Sequence, residues 1–447
     1  MHHYQKNQQQ TSIIDAWGEK GLGLISRHNS KLQVPDVIPG EKVSLKVVKA
    51  GNGWAYGKLL DVQHASDDRV NAVCDVSVTC GGCQLQHVSY EGQLAYKKQR
   101  VVKAFQSKQL DCPGISVHGM KAPLYYRQKG QFAVTKTAEG DIHIGLTAAR
   151  SQRVVDTTSC HLQAAPVNQA IQIIRQFLIQ QNVPIFSDKQ AQKGVAHLAF
   201  RWVENPAQLI VIIVTNESDI PAWGLLRDAL ADIPEFAALY QSVNQAPQWT
   251  VLGDELTLLW GNSELYQEIA GFKLAVSPLT FSQSNACQTE CLWQRVSAFV
   301  QPDSSKRIWD LYCGSGGMSL YLAMESASVI AVEENKQAIL DAKKNADYNR
   351  VDNCDFICAD VKDVIQDMTR HCDALVVDPP RMGLAADVCD AIIQRKPDRF
   401  VYVSCSPESL VRDLSLFVAA GASIESVDII DFFPQTYHVE TVVLLQF

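Results

Sequence analysis

The hydrophobic and polar positions of the chain fall into three stretches of different period. From residue 307 onward, short apolar runs alternate strictly with amphipathic segments. They predict strands at 307–311, 328–332, 354–358, 374–377, 399–404, 423–432 and 439–447. Helices are predicted between them at 318–324, 336–345, 361–368, 384–393 and 407–419. Such alternation covers both faces of a mostly parallel sheet, so this stretch reads as a doubly wound, Rossmann-like α/β domain. A helix ending near residue 300, capped by Ser284 or Asn285, precedes it. Near the start the pattern differs. Short strands at 12–17, 21–26, 42–49 and 55–64 are separated by Gly18, Pro35, Pro39, Gly40, Gly51 and Gly53. Turn signals at this spacing predict a small OB-like β-barrel. The middle mixes both periods, with helices at 91–107, 168–181 and 223–230. Its strands are predicted at 130–135, 141–146, 194–203, 208–215, 250–259 and 264–269, an α+β pattern. The expected domains are 10–70, 71–275 and 276–447, a multidomain α/β chain.

Length and composition agree with this division. A chain of 447 residues with 47% hydrophobic positions can build three such cores. No apolar run is long enough to cross a membrane. The polar opening, Met1-His-His-Tyr-Gln-Lys, lacks a signal core, so a cytoplasmic protein is expected. The 13 cysteines are odd in number and unevenly spaced, in a chain too long to need disulfide staples. They read as thiols, metal ligands or catalytic groups of a reducing compartment.

Charge changes the picture only locally. The net charge of −8 gives no overall attraction for nucleic acid. Residues 93–136 depart from it, with nine Lys or Arg against the single acid Asp111. Tyr96, Phe105, Tyr125, Tyr126 and Phe132 are interleaved. Cations beside aromatic rings suit phosphates and stacked bases. A solvated helix face followed by a strand would give the same composition.

Three places carry chemistry. The first is Cys74-x5-Cys80-Gly-Gly-Cys83. Two glycines between the last two thiols let the backbone curl so that both sulfurs face one ion or cluster. Cys160 is the candidate fourth ligand, and His87 could replace it. Zinc and a [4Fe–4S] cluster both suit thiolates, and spacing does not separate them. The second is Asp310-Leu-Tyr312-Cys-Gly314-Ser-Gly316-Gly317, between a predicted strand and helix. It lacks the full G-x-G-x-x-G pattern, which disfavours a dinucleotide. Glu333, Asp360 and Asp378 follow the next three strands. Acids there suit a cationic nucleoside such as S-adenosylmethionine, with Glu333 reaching the ribose and Asp360 the adenine. Taken singly, each could be a helix N-cap. The third is Ser404-Cys405-Ser-Pro407, a sharp turn from strand to helix that presents a thiol at the sheet edge where ligands of open α/β sheets bind. His438-Val-Glu440-Thr opens the last strand.

Phe281-Ser-Gln283-x-Asn285, Asp310-Leu-Tyr-Cys-Gly, Asp378-Pro-Pro-Arg381, Ser404-Cys405-Ser-Pro407 and His438-Val-Glu440-Thr together resemble the RNA uracil-5-methyltransferases. The N-terminal barrel resembles a TRAM domain. With the four cysteines included, the chain resembles most the members of that family that act on 23S rRNA. The resemblance implies a [4Fe–4S] cluster on Cys74, Cys80, Cys83 and Cys160. It implies S-adenosylmethionine contacts from Gln283, Tyr312, Gly317, Glu333, Asp360 and Asp378. It assigns Cys405 as nucleophile and Glu440 as base, and an unpaired or flipped uridine of RNA as target. It implies neither a membrane nor an obligate protein partner.

Overall fold

The computed structural model describes residues 4–27, 30–187, 193–218, 222–246, 250–253, 255–278, 283–366 and 372–447. Phe281 and the predicted helix end at Met368 lie outside them. The N-terminal strands are β1 (Gln9–Ile13), β2 (Ala16–Trp17), β3 (Gly23–Arg27), β4 (Ser30–Val34), β5 (Lys42–Gly51) and β6 (Trp54–His64). They form one sheet in the order β1-β5-β6-β4-β3-β2. Alternation along β4 and β5 puts Leu32, Val34, Val43, Leu45 and Val47 into a common core. The outermost strands β1 and β2 are joined through Ile14 and Asp15, whose N–H groups donate to Glu41 O at 3.0 Å and to Leu24 O at 2.9 Å, so one bent segment takes part in both outer ladders. Strand β4 was not among the strands read from the sequence.

Helix α1 (Tyr90–Ser107) and strand β7 (Ser116–His118) come next. They depart from the expected 71–275 unit. Strand β7 joins the C-terminal sheet, pairing in parallel beside Asp428. Val101 and Phe105 of α1 are fully buried in the C-terminal core. Each buried side chain of this kind contributes about 1.5–3 kcal/mol, so the helix docks where its apolar stripe is covered.

The central body contains β8 (Lys129–Lys136), β9 (Ile142–Thr147), β10 (Val154–Asp156), α2 (Ala165–Gln180), β11 (Val195–Val203), β12 (Gln208–Thr215), α3 (Trp223–Leu230), β13 (Phe236–Val243) and β14 (Glu255–Gly261). Its seven-stranded sheet runs β10-β9-β8-β11-β12-β13-β14 and packs against α2 and α3. The hairpin β15 (Leu265–Ile269) and β16 (Phe272–Val276) follows.

The C-terminal part alternates as the sequence pattern requires. It comprises α4 (Ala286–Val300), β17 (Arg307–Leu311), α5 (Gly317–Ala323), β18 (Ser328–Glu333), α6 (Lys336–Asn349), β19 (Cys354–Cys358), α7 (Val361–Gln366), β20 (Ala374–Val377), α8 (Ala386–Arg395), β21 (Arg399–Ser404), α9 (Pro407–Ala419), β22 (Ser423–Ile430) and β23 (Glu440–Gln446). The strand order is β19-β18-β17-β20-β21-β23-β22-β7. Strands β17 to β21 are mutually parallel, whereas β23 is antiparallel to both of its neighbours. This insertion decides the site. Among the described residues no helix is long and apolar enough to cross a membrane.

Candidate active site

Register places the two residues of the third motif together. Ser404 pairs with Thr441 across the antiparallel ladder. One step further along each strand, Cys405 leaves β21 opposite Glu440. Ser406 caps α9, accepting from Ser409 N at 3.4 Å. Ser404 Oγ accepts from Ser406 N at 3.1 Å, which tightens the turn around the thiol. Asp378 enters from β20, the parallel neighbour on the other side of β21.

The electrostatics follow from that crowding. Burial first, then the charges of Glu440 and Asp378, push the Cys405 thiol up to about 11. The Arg381 guanidinium opposes them with its charge and a hydrogen bond to the sulfur. Burial also raises Glu440 well above the usual carboxylate range, and neighbouring Asp378 adds to it. Asp378 rises by burial and by the charge of Asp310. Asp310, fully buried under the first motif, is pushed by burial up to about 7, although Ser319 donates to it at 2.6 Å. A thiol, two carboxyls whose proton affinity is raised by burial and one exposed arginine therefore share a crevice. The sequence motif contains Arg381, but its part became visible only once its guanidinium lay beside the sulfur.

The glycine-rich loop lies on the same sheet edge. Gly317 begins α5 with its Cα against Trp293; a Cβ there would stand 2.5 Å from the indole ring. Glu333 ends β18 and accepts from Gly314 N at 3.2 Å and Asn335 N at 2.9 Å, so its carboxylate is fixed beside the loop. Tyr312 stands in the left-handed region, φ 65°, where Asp360 is among the charges that act on it. Asp360 accepts from Lys362 N at 3.0 Å and pairs with Lys362 Nζ at 2.8 Å. It is thus also the helix cap that its position allows. Gln283 lines the neighbouring cleft together with Arg381.

That cleft has a volume of about 810 Å³ and is lined by Cys74, Cys80, Cys83, Cys160, Gln283, Arg381 and His438, with Arg127 between them. The four predicted thiols are together. Burial raises Cys83 to about 12, and Cys160, Cys80 and Cys74 act on it as further negative charges. The Cys80–Cys83 turn lies on β9, where Gly81 N donates to Thr147 O at 3.0 Å. A Cβ on Gly81 would meet that oxygen at 2.7 Å, so the turn needs glycine there. His87, the alternative ligand, is buried elsewhere against the Val37 carbonyl at 3.4 Å. Among the described residues no three His, Cys, Asp or Glu side chains converge as ligands of a single ion. Among the described residues, buried oxygens of Gln84 and Gln163 and the Arg127 Nε have no hydrogen-bond partner at this wall. His438 sits between the Phe433 and Tyr437 rings, and burial lowers it to about 4.

The basic segment is only partly available to a ligand. Lys97 is completely buried against Asp431, and Arg100 is held by Tyr437 and Glu408. Phe105, Phe132, Tyr96 and Tyr126 are buried. Lys98, Lys103, Lys108, Lys121, Lys136 and Tyr125 remain exposed. Periodicity on one helix did not reveal which cations face a second core.

A parallel sheet with a glycine-rich first loop and an acid at the tip of its second strand defines a Rossmann-like nucleoside-binding fold, the class to which S-adenosylmethionine-dependent methyltransferases belong. Comparison with known proteins makes the class specific. Residues 272–447 match the family model described as tRNA (uracil-5-)-methyltransferase. An uncharacterized RNA methyltransferase of Clostridium tetani is 34% identical, over 99% of this chain and 97% of its own length. One from Oceanobacillus iheyensis is 33% identical, over 98% and 96%. The crystal structure of Pyrococcus abyssi tRNA (uracil-54, C5)-methyltransferase in complex with S-adenosyl-L-homocysteine has a similar fold. Its TM-score is 0.80 at 24% identity, over 98% of this chain and all of that one. The protein belongs to the RNA (uracil-5-)-methyltransferase family.

Proposed function

We propose that the protein methylates C5 of an unpaired or flipped uridine in 23S rRNA, through a covalent adduct between Cys405 and C6. The observation that carries this reading is the juxtaposition of Cys405 with Glu440 and Arg381 on the edge that also bears the glycine-rich loop. C5 of uracil is a weak carbon nucleophile. Addition of the Cys405 thiolate to C6 moves the ring π electrons onto O4 and makes C5 the nucleophilic end of an enolate. C5 then takes the methyl group from the sulfonium. Glu440 removes the proton left on C5, and the pair of electrons freed there expels Cys405. A carboxylate whose proton affinity is raised by burial is the stronger base for that step. Arg381 offsets the charge of the thiolate. Gln283, Arg127 and the unpartnered polar atoms of the cleft wall provide donors and acceptors for the base edge and phosphates. Tyr312, Gly317, Glu333, Asp360 and Asp378 hold the cofactor.

Cys74, Cys80, Cys83 and Cys160 would hold a [4Fe–4S] cluster. Each thiolate of such a cluster binds a different iron. Its ligands therefore ring a volume rather than converge on a point, and four thiols on one cavity wall fit that donor set. The cluster would supply a fixed tie between the loop 74–83 and the segment at Cys160. The N-terminal sheet and the exposed lysines after residue 97 serve the RNA backbone.

A second reading places the same chemistry on tRNA, the substrate named for the matching family and for the Pyrococcus enzyme. The test is to map 5-methyluridine in 23S rRNA and in tRNA from cells lacking the protein. Loss of one site in 23S rRNA is expected; loss confined to tRNA selects the second reading. With C5-tritiated substrate RNA, Cys405→Ala should release no tritium, and undiminished release would refute the covalent route.

A further inference from the structure

The segment 431–438 connects β22 to β23 and delivers the chain to Glu440. It forms no helix or ladder of its own, so its backbone groups must find partners elsewhere. Side chains of α1 supply several. Gln93, Lys97 and Arg100 stand four and then three residues apart, on one stripe of the helix. Gln93 donates to Gln435 Oε1 at 3.0 Å and accepts from Gln435 N at 2.8 Å. Lys97 donates to the Asp431 carboxylate and, at 2.9 Å, to the Phe433 carbonyl. Arg100 donates to the Tyr437 carbonyl at 2.9 Å and forks onto Glu408 at 3.0 and 3.1 Å. Glu408 lies in the first turn of α9, three residues after Cys405. One stripe of α1 therefore holds both the approach to Glu440 and the turn that carries Cys405.

Lys97 argues that this is more than packing. Its side chain and that of Asp431 are 0% exposed. Removing both charges from water is costly, and an apolar pair of similar volume often stabilises a core as well or better. What an apolar pair lacks is direction. Here the ammonium is shared between a carboxylate and a loop carbonyl, and the second oxygen of Asp431 accepts from the Tyr90 hydroxyl at 2.9 Å. The network is closed, and its geometry is passed on to a segment that ends next to Glu440.

We propose that Gln93, Lys97 and Arg100 are positioning residues of the methyl-transfer reaction, setting Glu440 and Cys405 relative to each other from a helix outside the catalytic strands. The proposal rests on the reading of those two residues given above. The three side chains are engaged by protein groups, so their loss should act on turnover rather than on binding.

The test uses the full-length protein in single-turnover and steady-state assays. The double variant Lys97→Met/Asp431→Leu keeps the volume and leaves no lone buried charge. A roughly 10- to 100-fold fall in kcat is expected, as for a catalytic group displaced by a fraction of an ångström. KM for RNA and for S-adenosylmethionine should stay within about two-fold. The Cys405–RNA adduct should persist longer on denaturing gels, because proton removal is the delayed step. Arg100→Met should shift kcat in the same direction, and Arg100→Lys should restore part of it. If the double variant does not fold, Arg100→Met and Gln93→Met decide the matter alone. Wild-type kcat in those two, or losses confined to KM, would overturn the proposal. Glu440→Gln serves as the control. If it turns over like wild type, the reading of the site itself fails. If it is inactive while the α1 variants are normal, only the positioning proposal fails.

Discussion

Cys405 holds its proton because burial and two acids outweigh one arginine. With its value raised to about 11, the thiolate is present below that pH only as a minor form, roughly one part in a thousand at pH 8. Charged groups on every side enter this balance: Glu440 on β23, Asp378 after β20 and Arg381 in the same loop. Alkylation of Cys405 by iodoacetamide in the free protein should therefore be slow at pH 7. It should rise about ten-fold per pH unit up to pH 9, as expected for a thiolate reaction. Peptide-level mass spectrometry would measure this beside the other cysteines. Arg381→Met should slow it further, since the one opposing charge is removed. A plateau near pH 8 would contradict the balance described. Glu440→Gln, which keeps the shape and loses the base, should leave methyl transfer possible and trap the adduct on RNA.

Helices α4 and α5 set the glycine-rich loop against the rest of the crevice. The Asn285 side chain caps α4 by accepting from Gln288 N at 3.2 Å, and it donates to the Phe432 carbonyl at 3.0 Å. One side chain therefore starts a helix and anchors the segment before Glu440. Asn285→Ala should cost about 1–3 kcal/mol, the cap together with a buried carbonyl left unpaired. Urea denaturation would read this as a lower midpoint with unchanged slope. Gly317→Ala tests the loop itself. Its new methyl group would meet Trp293, which is only 5% exposed, so the indole or the loop must shift. Overpacking of this kind costs about 1–3 kcal/mol. Weaker S-adenosylmethionine binding by calorimetry is expected, with RNA binding retained. Unchanged cofactor affinity would show that the close approach of Gly317 to Trp293 does not matter to the pocket.

On the scale of the molecule, three bodies meet around the cleft. Trp17, Ile38, Leu85, Val88, Tyr96 and Tyr437 form one small apolar cluster, joining the N-terminal sheet, α1 and the segment before Glu440. Arg150 lies 3.7 Å over the Tyr56 ring, tying the central body to the N-terminal sheet. The four cysteines occupy the wall between these bodies and the catalytic edge. Anaerobically purified protein should be brown, with broad visible absorption. Cys83→Ser should abolish the colour and weaken RNA binding. It should spare S-adenosylmethionine affinity, because the cofactor crevice is built on the far strands β17 to β20. Colourless wild-type protein carrying one zinc would refute the cluster.

Much of this arrangement was legible in the residues. Periods of about two and 3.6 fixed which segments became strands and helices, because that preference is local. The positions of Gly314, Glu333, Asp378 and Cys405 at strand ends followed from the same pattern, and so did the Cys80-Gly-Gly-Cys83 turn. Strand β13 was not predicted, since an apolar run in a mixed region has no distinctive period. The contact between Cys405 and Glu440 came from tertiary structure alone. It exists because β23 inserts antiparallel between β21 and β22, a pairing determined by the packing of the whole sheet. The burial of Lys97 and the docking of α1 onto the C-terminal core were decided in the same way. A helical stripe specifies that a face will be covered, and only the folded chain specifies by what.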